Sequence, residues 1–140
     1  MEELLKLTRA FKSVTDEKLH VVDNTFYGSY TVSAGFTGIL TLYVSELYYQ
    51  NILKVRFDVD ELDVFRVAII IDGKVVVEDA YLSDVFLEKE FENGELCKYK
   101  TQIVIENTDP DYEHTFSVVV ESEAIEIPLY RKIENLFKKV

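Results

Sequence analysis

The firmest pattern along the chain is AIIIDGKVVVED, residues 68–79, where two β-branched runs flank Asp72-Gly73. That dipeptide suits a two-residue type I′ turn, so the pattern predicts a hairpin. LKVRFDV alternates, with Leu53, Val55, Phe57 and Val59 on one predicted face and Lys54, Arg56 and Asp58 on the other. DVFLEKEFENG sets Glu88, Glu90 and Glu92 on one face and turns at Asn93-Gly94. KTQIVIEN and HTFSVVVES bracket ENTDPDYEH, residues 106–114, which therefore connects two strands. Segments 19–23, 25–33, 38–49 and 123–128 complete the predicted set. The fold expected is all-β: an antiparallel β-sandwich, jelly-roll or immunoglobulin-like, of about eight strands.

The ends carry a different period. Leu4, Leu7, Phe11 and Val14 recur at three- and four-residue spacing, as do Leu129, Ile133, Leu136 and Val140. Each predicts a short amphipathic helix, and Pro128 suits the first turn of the second. Such helices are too short to be stable alone, so their apolar stripes need a surface to bury against. Runs such as Val67–Ile71, Val75–Val77 and Val118–Val120 do not alternate, which predicts strands covered on both faces. The covering element is a terminal helix or a second copy of the chain.

Composition narrows this further. With 140 residues and no linker or repeat, residues 1–140 read as one domain. The net charge of −11 disfavours a nucleic-acid backbone or anionic lipid as partner. No apolar run is long enough for a membrane span and the N-terminus has no signal-peptide core; these leave the location undetermined, with the cytoplasm or a virion as the expectation. The lone Cys97 forms no intrachain disulfide. Enrichment in Glu and Lys, 16 and 11 residues against two Gln, is a hyperthermophile signal.

The candidate chemistry is sparse. Asp58, Asp60, Glu61 and Asp63 lie in DVDELD, and Asp109, Asp111 and Glu113 in the 106–114 stretch. Six of these, Asp58, Asp60, Asp63, Asp109, Asp111 and Glu113, are Ca²⁺ candidates, since that ion takes six to eight oxygens. Two Asp-rich loops at one end of a sandwich resemble the calcium loops of C2 domains. That resemblance covers those loops alone and lacks the family's basic and aromatic lipid-contacting residues. Asn, Asp and Pro are also turn formers in their own right, and the turn reading is preferred. His20, His114 and Cys97 have no zinc-ligand spacing, and His114 is expected to be an exposed strand-end residue. Glu88 and Glu90 share one strand face, whereas a glycosidase pair flanks its bond from separate elements. No nucleophile elbow, phosphate loop or HExxH occurs, so neither catalysis nor a cofactor is expected. Gly28, Gly35 and Gly38 are assigned to turns or bulges.

Nine Tyr and nine Phe remain, including Tyr48 and Tyr49, which point to opposite sides of an extended segment. A sugar-binding platform is one use for such a pair. Tyr48, Tyr49, Leu129, Ile133, Leu136 and Val140 are the predicted interaction residues. The expected function is a non-enzymatic structural or protein-interaction module that associates with itself or with other structural proteins. Its composition is similar in style to virion or cell-surface proteins of hyperthermophilic archaea. The alternative is a Ca²⁺-dependent or carbohydrate-binding sandwich built on the loops 58–63 and 109–113.

Overall fold

The computed structural model describes residues 14–22, 24–45, 47–83 and 87–138. Among these residues ten strands form two five-stranded sheets. In chain order they are β1 (Val14–Lys18), β2 (His20–Val22), β3 (Thr25–Val32), β4 (Thr37–Tyr43), β5 (Tyr48–Val59), β6 (Phe65–Ile71), β7 (Lys74–Tyr81), β8 (Glu88–Cys97), β9 (Lys100–Asn107) and β10 (His114–Glu126). A single described helix, α1 (Leu129–Lys138), follows. Among the described helices none is long and apolar enough to cross a membrane.

One rule generates most of this topology. Asp72 and Gly73 both have positive φ, 51° and 81°, and turn β6 into β7 with Ile71 opposite Lys74. Outward from that tip the partners stay nearly equidistant in sequence: Gln50 faces Cys97, Thr37 faces Glu106 and Val32 faces His114. The chain from β3 to β10 is thus one long two-stranded ribbon, β3·β10, β4·β9, β5·β8 and β6·β7, bent at corners. Rolling it pairs β5 with β10 in one sheet and β6 with β9 in the other, which is a jelly roll. The sheets run β1-β4-β9-β6-β7 and β2-β3-β10-β5-β8.

Between the sheets Phe65, Phe116, Leu42, Ile52, Ile69 and Ile103 are fully buried. The alternation predicted for β5 breaks at a bulge between Ile52 and Lys54, so Ile52, not Leu53, points into the core. β8 loops out at Asn93-Gly94, where both residues have positive φ, but does not reverse there. The non-alternating runs have two causes. β6 and β7 slip register twice, and Ile39, Ala68, Ile70 and Val104 form a second apolar cluster, only 1–5% exposed, apart from the main core.

Several expectations are corrected. The N-terminal stripe Leu4, Leu7 and Phe11 lies outside the described residues, and Val14 opens β1, which pairs with β4 in parallel. The segment 38–49 is two elements, and 123–128 is mostly the far end of β10. Gly28 sits within β3, where a Cβ would come within 2.7 Å of Leu19, so it serves close packing rather than a turn.

Candidate functional site

β10 is 13 residues long, so its two termini lie roughly 40 Å apart at ~3.3 Å per residue. The features that stand out chemically collect at these two ends.

At the first end the corners 33–36, 60–64 and 108–113 meet. Residues 106–114 connect β9 of one sheet to β10 of the other, so they are an inter-sheet corner rather than a hairpin tip. Asn107 is fully buried and holds this corner. Its Nδ2 donates to the carbonyls of Val32 (3.0 Å), Ser33 (3.4 Å) and Tyr112 (2.9 Å), and its Oδ1 accepts from the Asp109 amide (2.9 Å). The Asn107 amide itself donates to the Phe36 carbonyl at 2.9 Å. Asp109 accepts from the Asp111 and Tyr112 amides, the Asx turn expected of this composition. The loops so held display two aromatic side chains, Phe36 at 50% and Tyr112 at 71% exposure.

His114 is buried, not exposed, because it opens β10 beneath these loops and packs edge-on against Phe65. Its Nε2 lies 2.8 Å from Asp109, its Nδ1 3.2 Å from Asp60, and Glu61 stands 3.7 Å from Nε2. The two acidic loops therefore do converge, around an imidazole. Of the six Ca²⁺ candidates, Asp60 and Asp109 reach it. Asp58, Asp63, Asp111 and Glu113 are exposed and do not join the group formed by Glu61, Asp109 and His114. His20 and Cys97 lie on other strands, near opposite edges of one sheet.

The contact with Asp109 raises the His114 pKa, with Asp60 helping and burial opposing, and the same contact lowers Asp109. With both ring nitrogens donating, the imidazolium ties β5–β6 to β9–β10. A raised histidine stabilises the fold fully below its unfolded value, about 6.5, and this is lost as pH rises through the folded value. A lowered aspartate contributes above its unfolded value near 3.8 and is lost as pH falls through the folded one. The clamp is thus complete from about pH 4 to about 6.5. The Tm difference between the wild type and His114→Gln should be largest in that window and shrink as the pH rises above it. A difference independent of pH would contradict the clamp.

At the second end lie the ribbon tip, the corners 44–47 and 98–99, and α1. Asp72 does more than turn the chain. Its carboxylate accepts from the amides of Lys98 (2.7 Å), Tyr99 (2.8 Å) and Lys100 (3.0 Å), docking the tip on the β8–β9 corner. Cys97 is buried beside it, and burial pushes its thiol up to about 11, which leaves it an unreactive core residue at neutral pH.

α1 starts as Pro128 predicts, with the Pro128 carbonyl accepting from Arg131 and Lys132. Its stripe faces solvent: Leu129 is 71%, Ile133 48% and Leu136 50% exposed, while Val140 lies outside the described residues. Tyr130 and Phe137, which the spacing argument passed over, share that face at helical angles and are 60% and 76% exposed. Lys132 ties the helix back, 3.6 Å from Glu126 and 4.8 Å over the Tyr48 ring. Tyr48 is exposed and Tyr49 half-buried, with Lys98 5.8 Å over its ring.

Glu88 and Glu90 share Lys54, at 3.3 and 3.5 Å, with Glu121 at 4.0 Å. This is a solvated strand face organised around one cation.

No protein-family profile matches the sequence, and no curated protein does. Similar solved structures exist. PliG of Aeromonas hydrophila, a periplasmic inhibitor of g-type lysozyme, is 9% identical with a TM-score of 0.54, over 79% of this chain and 98% of that one. PliG of Salmonella Typhimurium is 10% identical with a TM-score of 0.48, over 78% and 99%. The likeness to the first is one of fold: this chain is an all-β sandwich of the kind PliG adopts.

Proposed function

We propose that the chain is a non-enzymatic protein-interaction module that self-associates through the outward face of α1. One observation carries this reading: five large apolar side chains on a single helix face are 48–76% exposed. A helix of this length gains its stability by burying that face, and each such side chain removed from water contributes about 1.5–3 kcal/mol. The absence of catalysis is supported by the structural tasks that claim the candidate groups. Glu88 and Glu90 bind Lys54, His114 clamps two loops, and Cys97 is buried. The assembly is placed in a virion or at the cell surface of a hyperthermophile, and of this the Lys- and Glu-rich composition supports the hyperthermophilic host. The paired variant Ile133→Glu/Phe137→Glu should keep the wild-type Tm within about 1 kcal/mol equivalent, since both residues are exposed. Light scattering should show it as a single chain where the wild type is larger. Equal masses for the two would remove the helix face from the assembly.

A second reading, a cation-dependent binding module, is favoured by the ligand atoms of Glu61, Asp109 and His114, all within 4.8 Å of one another. One nitrogen and two carboxylates suit a transition ion better than Ca²⁺. On this reading Zn²⁺ at about 100 times its dissociation constant raises stability by about 2.7 kcal/mol at pH 8, and Asp109→Asn abolishes the gain. On the interaction reading neither Ca²⁺ nor Zn²⁺ moves the Tm.

A further inference from the structure

We infer that residues 1–13 strap the outer face of the β1-β4-β9-β6-β7 sheet, with Leu4, Leu7 and Phe11 set against Ile39, Ala68, Ile70 and Val104. The strap goes beyond self-association through α1, since it concerns a second apolar face. Its first ground is burial on the outward side of a sheet. In β4, β9 and β6 the residues Leu40, Leu42, Ile103, Ile105, Val67 and Ile69 belong to the core between the sheets. Their neighbours Ile39, Thr41, Val104, Ala68 and Ile70 therefore point away from it. Register gathers these into rows: Ile39, Val104 and Ala68 in one, Thr41, Gln102 and Ile70 in the next. All but Gln102 are only 0–5% exposed. The opposite sheet shows what an open face looks like in this molecule. On its central strand β10 the outward Ser117, Val119 and Glu121 are half-buried, and Tyr27, Ser29 and Thr31 beside them on β3 are exposed.

The cover belongs to the same chain, because these exposures hold for a single copy. It is not α1, whose apolar face meets solvent and whose Lys132 ties it to Tyr48 in the other sheet. Outside the described residues lie 1–13, 23, 46, 84–86 and 139–140. Crossing from β4 to β6 takes two strand spacings, about 10 Å, beyond the reach of one or two residues. The segment 84–86 leaves from β7, the edge far from β4, and must also reach β8 in the other sheet. Residues 1–13 run directly into β1, which lies beside β4 at the edge of the covered sheet. In the helical form their spacing predicts, they measure about 20 Å at ~1.5 Å per residue, against ~14 Å for the three spacings from β1 to β6. A helix too short to be stable alone gains its stability by burying its stripe there. The strap takes this face away from partners and leaves α1 as the apolar face presented to them.

The test reads thiol accessibility in the full-length chain. Val104→Cys puts a thiol at the centre of the covered face, Thr31→Cys puts one on the open face, and the buried Cys97 reports whether the chain is folded. A maleimide should label Thr31→Cys rapidly and Val104→Cys slowly, at nanomolar and high-micromolar concentration alike. Adding Leu4→Glu/Leu7→Glu/Phe11→Glu should speed labelling of Val104→Cys at least ~10-fold while Cys97 stays protected. Labelling of Cys97 as well would mean that this variant unfolds. The decision then passes to Val104→Cys paired in turn with Leu4→Cys, Leu7→Cys and Phe11→Cys, of which at least one pair should close under oxidation within a single chain. Rapid labelling of Val104→Cys in the otherwise unaltered chain overturns the strap. So does protection lost on dilution, which assigns the face to a second copy. Protection that survives the three glutamates in a folded chain overturns it too, as do thiols that never join or join only between chains. None of these readouts depends on the α1 face, so the strap can fail while self-association through α1 stands.

Discussion

Asn107→Asp should cost about 3–5 kcal/mol although it changes one nitrogen for one oxygen. The side chain is fully buried, and its Nδ2 is the donor to three carbonyls drawn from two different corners. A carboxylate there has no protons to donate and faces the three oxygens with a negative charge. The energetic choice is between an uncompensated buried charge and protonation of the aspartate, and both are unfavourable at neutral pH. For a domain of this size the Tm should fall by roughly 10 °C or more. The variant should recover stability as the pH is lowered, since the protonated acid restores one donor. Asn107→Ala, lacking the charge, should show no such recovery. A melting curve for Asn107→Asp within about 1 kcal/mol of wild type would mean that the corner is not held as described.

Asp72→Ala should cost about 2 kcal/mol or more, the second largest effect of a single change. Three amides lose a shared charged acceptor, and the alanine must also adopt a positive φ. Exposure moderates the loss, because water replaces part of the bonding. Asp72→Asn separates the two roles: it tolerates the turn but has one acceptor oxygen where the carboxylate has two. It should fall between wild type and alanine. Amide hydrogen exchange provides the local readout. The Lys98, Tyr99 and Lys100 amides should exchange faster in both variants, while amides in the middle of β9 change only with global stability. Unchanged protection at those three positions would exclude the docking of tip on corner.

The two cases show where the sequence was legible. Asp72-Gly73 announced its turn because a positive-φ dipeptide between β-branched runs is a local signal. Its grip on residues 98–100 was invisible, since it joins segments that only the rolled ribbon brings together. Asn107 likewise reads as one more turn former in ENTDPDYEH, and only the fold shows it spanning two corners. The acidic composition of 58–63 and 106–114 identified the right loops. It could not show that His114 would be buried between them, because burial follows from the sheet crossing after β9. In β5 the alternation from Val55 onward was legible and the bulge before it was not, as one inserted residue flips the phase without altering composition. For α1 the spacing of Leu129, Ile133 and Leu136 found the helix. Whether that stripe faced inward or outward was a question of tertiary placement.

The outward stripe is the central claim, and sedimentation velocity of the full-length wild type over a range of concentrations tests it most directly. The account predicts that the weight-average mass rises above the single-chain 16.3 kDa as concentration increases. A species that stays at the single-chain mass up to high-micromolar concentration would contradict it.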